Sequence, residues 1–544
     1  MRKRNNPLWN SCTQHLGLET KPEKRWFLTA FTLLFLYLWV CLLLRNFLFS
    51  EAVIGSFWRG LISLLQALLL CAFGVTVFAK LRITPVPSGK QSTRFRRFFP
   101  LIASVLTFGY LLLWLIAFFP GGFSPDSIAQ YGQVVSGEYN NWHPVLHTWL
   151  FFWIPMQIFH HPAGIVLYQI LLYRLSVGYL YRTLCRRGCP MPYLIFSWLF
   201  LFLNHQTVKI MLWPWKDSAL TIVALVIFTQ IIEIYETDGA WLKKWHHFLS
   251  FTALCFLASA FRHNAILLTV PIYVVLFLFL KKARKSIALS AVAVLLALWI
   301  LNGPVMALAN VEAPGSRQME VLGLPMTILS EVYVKSPESL PEKAFYFMDS
   351  LASGAEWDAY YKTGNFNPIK WNSSRPLVDL VEHEGAKTIL RYTVQAFLSN
   401  PTCALRGFAA LTEMVWTPAK SAYWSIPIPS CPIDDLGITA RANENLAQQL
   451  KFFADTTDSL YLWLFTGFIG MMILIMMFAA VTNIGRGKLG RAFMIFPVLI
   501  YDFGTMLLLT GPDFRFFHFN FVIIVPLLYL ILSGGKKNET EAAA

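Results

Sequence analysis

The sequence predicts an all-α polytopic membrane protein with about twelve transmembrane helices. Three observations carry that expectation. Of 544 residues, 56% are hydrophobic and 14% charged, where soluble globular domains carry roughly 25% charged residues. The apolar residues come in blocks of about 18 to 25, the length that crosses a hydrocarbon core ~30 Å thick. Lys and Arg gather in alternate connections between these blocks, as they do on the cytoplasmic side of membrane proteins. The net charge of +15 is then a property of those connections facing anionic lipid, and no nucleic acid is called for.

The elements follow in order. The chain opens MRKRNN without a short apolar core and small-residue cleavage site, so the block 27–47 is expected to stay as an anchor, with Arg2, Lys3 and Arg4 inside. Block 53–79 returns the chain to Lys80, Arg82, Lys90, Arg94, Arg96 and Arg97, also inside. Block 98–119 then places 120–144 outside. Stretch 143–160 has both ends on that outer side when parity is counted back from the basic run 281–285. With about 16 apolar residues it is expected to be interfacial or re-entrant rather than spanning. Blocks 163–182, 191–206, 216–235, 247–262, 265–280 and 287–308 follow.

The connection 310–458 holds 17 acidic and 12 basic residues, whereas the rest of the chain holds 13 acidic and 33 basic. Charge thus segregates by side, and this connection is expected outside as a mostly helical lid, with helix around 385–416 interrupted at Pro401. Blocks 459–482, 492–510 and 515–533 complete the count and return the C-terminus inside. Four regions result: a two-helix segment 1–97, a membrane core 98–309 with the outer loop 120–162, the lid 310–458, and the C-terminal helices 459–544. There is no internal repeat and no inverted pair of broken helices of the transporter kind.

Ionisable residues at a membrane are costly unless used, and the topology gathers four groups of them on the outer side. They are FPGGFSPDSIAQYGQVVSGEYNNWHP (119–144), LWPWKDS (212–218), FRHN (261–264) and GPDFRFFHF (511–519). Asp126 is thereby set beside Lys216, Arg262 and Arg515, on the face where a positive-inside bias leaves few cations. Arg and Lys hold phosphate through charge-assisted hydrogen bonds, so an anionic head on a greasy tail suits the arrangement. Gln130, Trp142, His143, Asp217 and His518 join Lys216, Arg262 and Arg515 as candidate substrate-binding residues. Each also has a plainer role: Asp126 as the cap of a helix starting at Ser127, the cations as snorkelling side chains, Asp217 as a local counter-charge to Lys216.

No cofactor is expected. His143, His147, His160 and His161 have no acidic partner at ligand spacing, which disfavours a metal site. Cys185 and Cys189 are too few for a four-ligand zinc site, and Cys403 and Cys431 are equally compatible with a disulfide or with two thiols.

The order of these motifs resembles the GT-C superfamily of integral-membrane glycosyltransferases. Gly121-Gly122-Phe123-Ser124-Pro125-Asp126-Ser127, Gln130 and Asn141-Trp142-His143-Pro144 resemble the first extracytoplasmic loop of a largely uncharacterised bacterial group. Trp215-Lys216-Asp217, Arg262-His263-Asn264 and Phe514-Arg515-Phe516 resemble its later motifs in the same order. The likeness spans about residues 98–533 and rests on some fifteen positions; the first motif is moderately specific and the later ones weak singly. It implies a GT-C-like fold in the bacterial cytoplasmic membrane, a polyprenyl-phosphate sugar donor, and a glycan, lipid or protein acceptor glycosylated on the non-cytoplasmic side. It also implies that Asp126 is the catalytic acidic residue. Many relatives have two adjacent acidic residues there; here Ser127 follows, which favours a single general base over a metal-assisted variant. Two other functions fit the same composition: a lipid-linked glycan flippase or transporter, and a polysaccharide polymerase or ligase using a diphosphate-linked glycan.

Overall fold

The computed structural model describes residues 21–48, 55–86, 94–419, 425–431, 437, 443–464 and 467–533. Arg2, Lys3, Arg4, Lys90, Asp434, Asp435 and the C-terminal tail lie outside the described residues. The described chain is helical throughout, with isolated β-bridges and no strand among the described residues.

The helices that position the site are α1 (Lys21–Leu48), α2 (Ser56–Lys80), α3 (Arg94–Ala117), α4 (Pro125–Ser136), α5 (Val145–Phe159), α6 (Pro162–Arg186), α7 (Met191–Leu203), α8 (His205–Met211), α9 (Lys216–Glu236) and α10 (Trp245–Phe261). They continue with α11 (Ile266–Phe279), α12 (Arg284–Ile300), α13 (Gly323–Lys335), α14 (Ala386–Ser399), α15 (Pro401–Trp416), α16 (Glu444–Trp463), α17 (Ile469–Gly485), α18 (Phe496–Met506) and α19 (Asn520–Leu532).

Among the described residues, eight helices are long and apolar enough to cross a membrane, or nine if the bent pair α7–α8 counts as one. The expectation of twelve exceeds this. Blocks 247–262 and 265–280, and the part of block 459–482 from Ile469 on, correspond to helices of at most 17 residues, about 26 Å at 1.5 Å per residue. Block 191–206 is not one straight helix, because the chain bends by 57° at Asn204. Asn204 ends α7 and caps α8, its side-chain oxygen accepting from the Thr207 amide at 3.1 Å. Block 459–482 is likewise interrupted, α16 ending at Trp463 and α17 beginning at Ile469. Stretch 143–160 is the single helix α5, 15 residues and about 22 Å long, too short to span.

Burial sorts the helices into centre and periphery. The apolar windows of α9 and of the segment Phe514–Leu532 are 89% and 83% buried, against 22% for α1 and 11% for Lys281–Leu308. The peripheral helices expose Leu33, Leu69, Phe73, Leu295 and Trp299, as surfaces solvated by lipid tails do. Helix directions place Arg94, Arg96, Arg97, Arg186, Lys243, Lys281, Arg284 and Arg491 at one end of the bundle, where Arg187 pairs with Glu233 and Arg491 with Glu236. The heads of both central helices, carrying Lys216 and Arg515, lie at the opposite end.

Helices α1 and α2 pack together against α17 through Phe27, Leu38, Cys71 and Phe478. Residues 319–404 build a separate core around Met326, Leu329, Phe347, Trp357 and Ile389, and the chain does break at Pro401. Beyond that break α15 packs on α1, where the Tyr37 hydroxyl donates to the Trp416 carbonyl at 3.2 Å and Arg45 to the Thr417 hydroxyl at 3.0 Å. Helix α16 packs on α3 and α8. Cys403 is a buried thiol donating to the Glu331 carbonyl at 3.4 Å, so it forms no disulfide with Cys431.

Candidate functional site

The loop that presents Asp126 is built by its glycines and its cap. Gly121 adopts φ +108°, and a Cβ there would meet Val166 at 2.7 Å; one on Gly122 would lie 2.4 Å from the Trp213 ring. The chain can therefore turn tightly against the 212–215 segment only with glycine at both places. The Gly122 amide donates to the Leu212 carbonyl and the Phe123 amide to the Ser430 carbonyl, both at 2.8 Å. Helix α4 starts at Pro125, with Ser124 as its cap accepting from the Ser127 amide. Gly137, at φ 77°, ends it. The expected capping role of Asp126 thus falls to Ser124. Asp126 occupies the first turn, where the helix dipole favours a negative charge, and its carboxylate is left for other partners.

Its partner is Arg515, whose guanidinium donates to Asp126 Oδ2 at 3.2 Å. The same guanidinium lies 2.7 Å from Asp513 and 3.7 Å from Asp217, and 4.9 Å above the Trp215 ring. The Trp215 indole N–H donates in turn to Ser124 Oγ at 2.8 Å, next to the start of α4. Asp513 also accepts from the Arg515 amide at 3.1 Å, fixing the turn Phe514–Phe517. Three segments distant in sequence, 124–126, 215–217 and 513–515, thus meet at the end of the bundle opposite its basic end.

The three cations are not equivalent. Arg262 is 6% exposed, pairs with the 3%-exposed Asp217 and lies 4.1 Å over the Phe516 ring. It also donates to Asn264 at 2.6 Å, and Asn264 donates to Thr505 of α18 at 2.8 Å. Arg262 is thus neutralised and fixed inside the protein, and Asp217 serves Arg262 and Arg515 rather than Lys216. Lys216 is half-buried, faces the charges of Asp126 and Glu320, and takes part in no ion pair among the described residues. It is the cation most available to an incoming anion.

His143 is 6% exposed and faces Lys216, Asp126, Arg515 and Arg317. Burial, reinforced by Lys216, pushes its pKa down to about 4, so the ring is neutral near pH 7. For Asp126 burial acts to raise the pKa, but Arg515, His143 and Lys216 outweigh it and hold the carboxyl below its ordinary value.

Two expected substrate-binding residues, Gln130 and His518, are turned away from this cluster. Gln130 is 2% exposed, its amide donating to His147 Nδ1 and to Thr148 Oγ1, both at 2.9 Å. It ties α4 to α5. His518 is fully buried with Nε2 3.1 Å from the Thr207 hydroxyl, because the turn after Arg515 carries its ring toward α8. The Trp142 ring lies at the surface, 39% exposed. Arg317 and Glu320 escaped sequence reasoning: Arg317 donates to the Asn141 carbonyl and Glu320 pairs with Lys370, and nothing in the residues 310–320 announces this. A buried polar set at the helix bend was also missed. There Lys209 and Gln206 donate to Asp458 at 3.0 and 3.1 Å, and Tyr110 and Thr457 flank His205. Its signal was the polar run HQTVK (205–209) at the end of the apolar block 191–206.

Among the described residues no group of three or more His, Cys, Asp or Glu is placed to hold a metal ion. No family model, no curated protein and no solved structure matches this chain.

Proposed function

We propose that the protein is a GT-C-type membrane glycosyltransferase of about twelve spans that moves a sugar from a polyprenyl-phosphate donor to an acceptor on the non-cytoplasmic face of a bacterial cytoplasmic membrane. The supporting observation is the meeting of Asp126, Lys216 and Arg515 at the end of the bundle opposite its basic end. The basic end marks the cytoplasmic side by the positive-inside rule, so the cluster opens outward.

Asp126 takes the proton of an acceptor hydroxyl as that oxygen attacks the anomeric carbon, a contribution typically of ~10²–10⁴ in rate. The bond from the anomeric carbon to the phosphate oxygen breaks, and its electron pair stays on the lipid phosphate. Lys216 and Arg515 stabilise that charge. Because Arg515 pairs with Asp126 before the donor arrives, a bound phosphate competes for the guanidinium and releases the carboxylate toward the acceptor. A single displacement inverts the anomeric configuration.

The 319–404 core and the 310–320 segment, held on the first loop by Arg317, cover the site and exclude water that would hydrolyse the donor. The assay is sugar transfer by purified protein supplied with polyprenyl-phosphate sugars. Transfer that persists at near-normal rate in folded Asp126→Asn protein rejects the base assignment.

One observation favours a flippase or transporter instead: the bent pair α7–α8 with the buried Lys209–Asp458 pair at its break, the kind of discontinuity transporters use. Accumulation of lipid-linked sugar across proteoliposomes without a covalent product would select it. A diphosphate-linked glycan as the only accepted donor would select a polymerase or ligase.

A further inference from the structure

At the same end of the bundle, on the other side of the 119–123 turn, lies a groove of about 500 Å³. Phe118, at the foot of α3, stacks on Trp114 with ring centroids 5.2 Å apart, and Phe119 lies 5.2 Å from the His161 ring. The facing wall is α16, which turns Glu444, Gln448 and Lys451 toward the groove at the i, i+4, i+7 spacing of one helix face. The Lys451 amine stands 5.8 Å over the Phe118 ring. The third wall, around Ser430, is fixed in place. The Ile426 amide donates to Gln206 at 2.6 Å, the Trp213 indole to the Pro427 carbonyl at 3.2 Å, and Ser430 accepts from Phe123, three residues from Asp126.

We propose that this groove is a saccharide-binding subsite that seats the acceptor chain. A pyranose offers an apolar C–H face, which packs on an aromatic ring, and a rim of hydroxyls that both donate and accept. The groove supplies the complement: the half-buried Phe119 ring on one side, with an acceptor-only carboxylate, a donor-only amine and an amide that does both along the other. Its size lies within the range of small-ligand sites. Charges of both signs at its mouth suit a neutral or mixed-charge glycan better than a polyanion. Saccharide binding stands on the groove alone; that the saccharide is an acceptor rests on the glycosyltransferase proposal.

The test is binding of the full chain in detergent to an array printed with bacterial cell-envelope oligosaccharides, beside the variants Phe119→Ala, Gln448→Ala and Lys451→Ala. Gln448 and Lys451 are exposed, so their variants fold even if Phe119→Ala does not. The expected result is retention of at least one glycan by the native chain and by Asp126→Asn, weakened tenfold or more in Gln448→Ala and Lys451→Ala. Retention of no glycan, of peptides in its place, or of glycans equally by all variants overturns the subsite. Groove-dependent glycan binding with no transfer from any lipid-linked donor leaves the subsite standing and removes the glycosyltransferase proposal. Transfer whose acceptor KM is unmoved by Gln448→Ala and Lys451→Ala does the reverse.

Discussion

Asp126 and Asp217 both face Arg515, yet removing their charges has opposite expected consequences. The Asp217 side chain is 2% exposed and the Arg262 side chain it pairs with is 7% exposed. Asp217→Asn leaves a buried guanidinium without its paired anion, because the other groups that Arg262 contacts, Asn264 and the Phe516 ring, are neutral. Breaking a buried pair in this way costs about 3–5 kcal/mol. The Asp126 side chain is 36% exposed, and Arg515 keeps Asp513 at 2.7 Å when Asp126 is neutralised. Asp126→Asn therefore costs under about 1 kcal/mol of stability and lowers transfer by ~10²–10⁴. Thermal unfolding in detergent, read beside transfer, separates the two. Asp217→Asn unfolds well below the native chain, and adding Arg262→Met restores part of the loss because both buried charges are then gone. If Asp126→Asn proves as destabilising as Asp217→Asn, or Asp217→Asn unfolds with the native protein, the assignment of one residue to chemistry and the other to structure is wrong.

Lys216→Ala should raise the donor KM severalfold with little change in the acceptor KM, since Lys216 takes part in no ion pair among the described residues; equal effects on both constants would make it structural. The pH profile of kcat/KM should be flat from about pH 5 to 7, because Asp126 is ionised and His143 neutral throughout that range. Activity should fall as pH drops through about 4, where His143 gains its proton and Asp126 then loses its charge; a limb near pH 6 to 7 would point to a different base. Stability should follow the same sign. Both groups have lowered pKa values, so their contribution is complete above their ordinary pKa values and is lost as pH falls through the lowered ones. Gly122→Ala should reduce transfer by about 10²-fold through displacement of the Asp126 loop, because the new methyl meets the Trp213 ring; unchanged transfer would show that the loop has room to move.

Much of the site could be read from the chain because its charged residues stand at the ends of apolar blocks, Asp126 beside Pro125, Lys216 beside Trp215 and Asp513 beside Pro512. Block parity alone then sets Asp126, Lys216, Arg262 and Arg515 at one end of the bundle. Parity says nothing about pairing. Asp217 follows Lys216 in sequence but, on the first turn of α9, turns inward to Arg262, which no local pattern encodes. Gln130 and His518 sit in motifs with the right order, yet helix phase directs both into the protein. Hydropathy gave no sign of the 204 bend or of the end of α16 at Trp463, which fall within apolar stretches, where tertiary partners such as Asp458 for Lys209 decide the path. What α15 and α16 pack against was not legible either, because amphipathic helices read alike whether their apolar side meets a lid core or a membrane bundle.

The most direct measurement is a cryo-electron microscopy map of the full chain in lipid nanodiscs with a polyprenyl phosphate bound. The phosphate is predicted to sit within hydrogen-bond distance of both Lys216 and Arg515, with the Asp126 carboxylate released from the guanidinium. Phosphate density at the Arg187–Arg491 end of the bundle, or buried beside Lys209 and Asp458, would contradict the account.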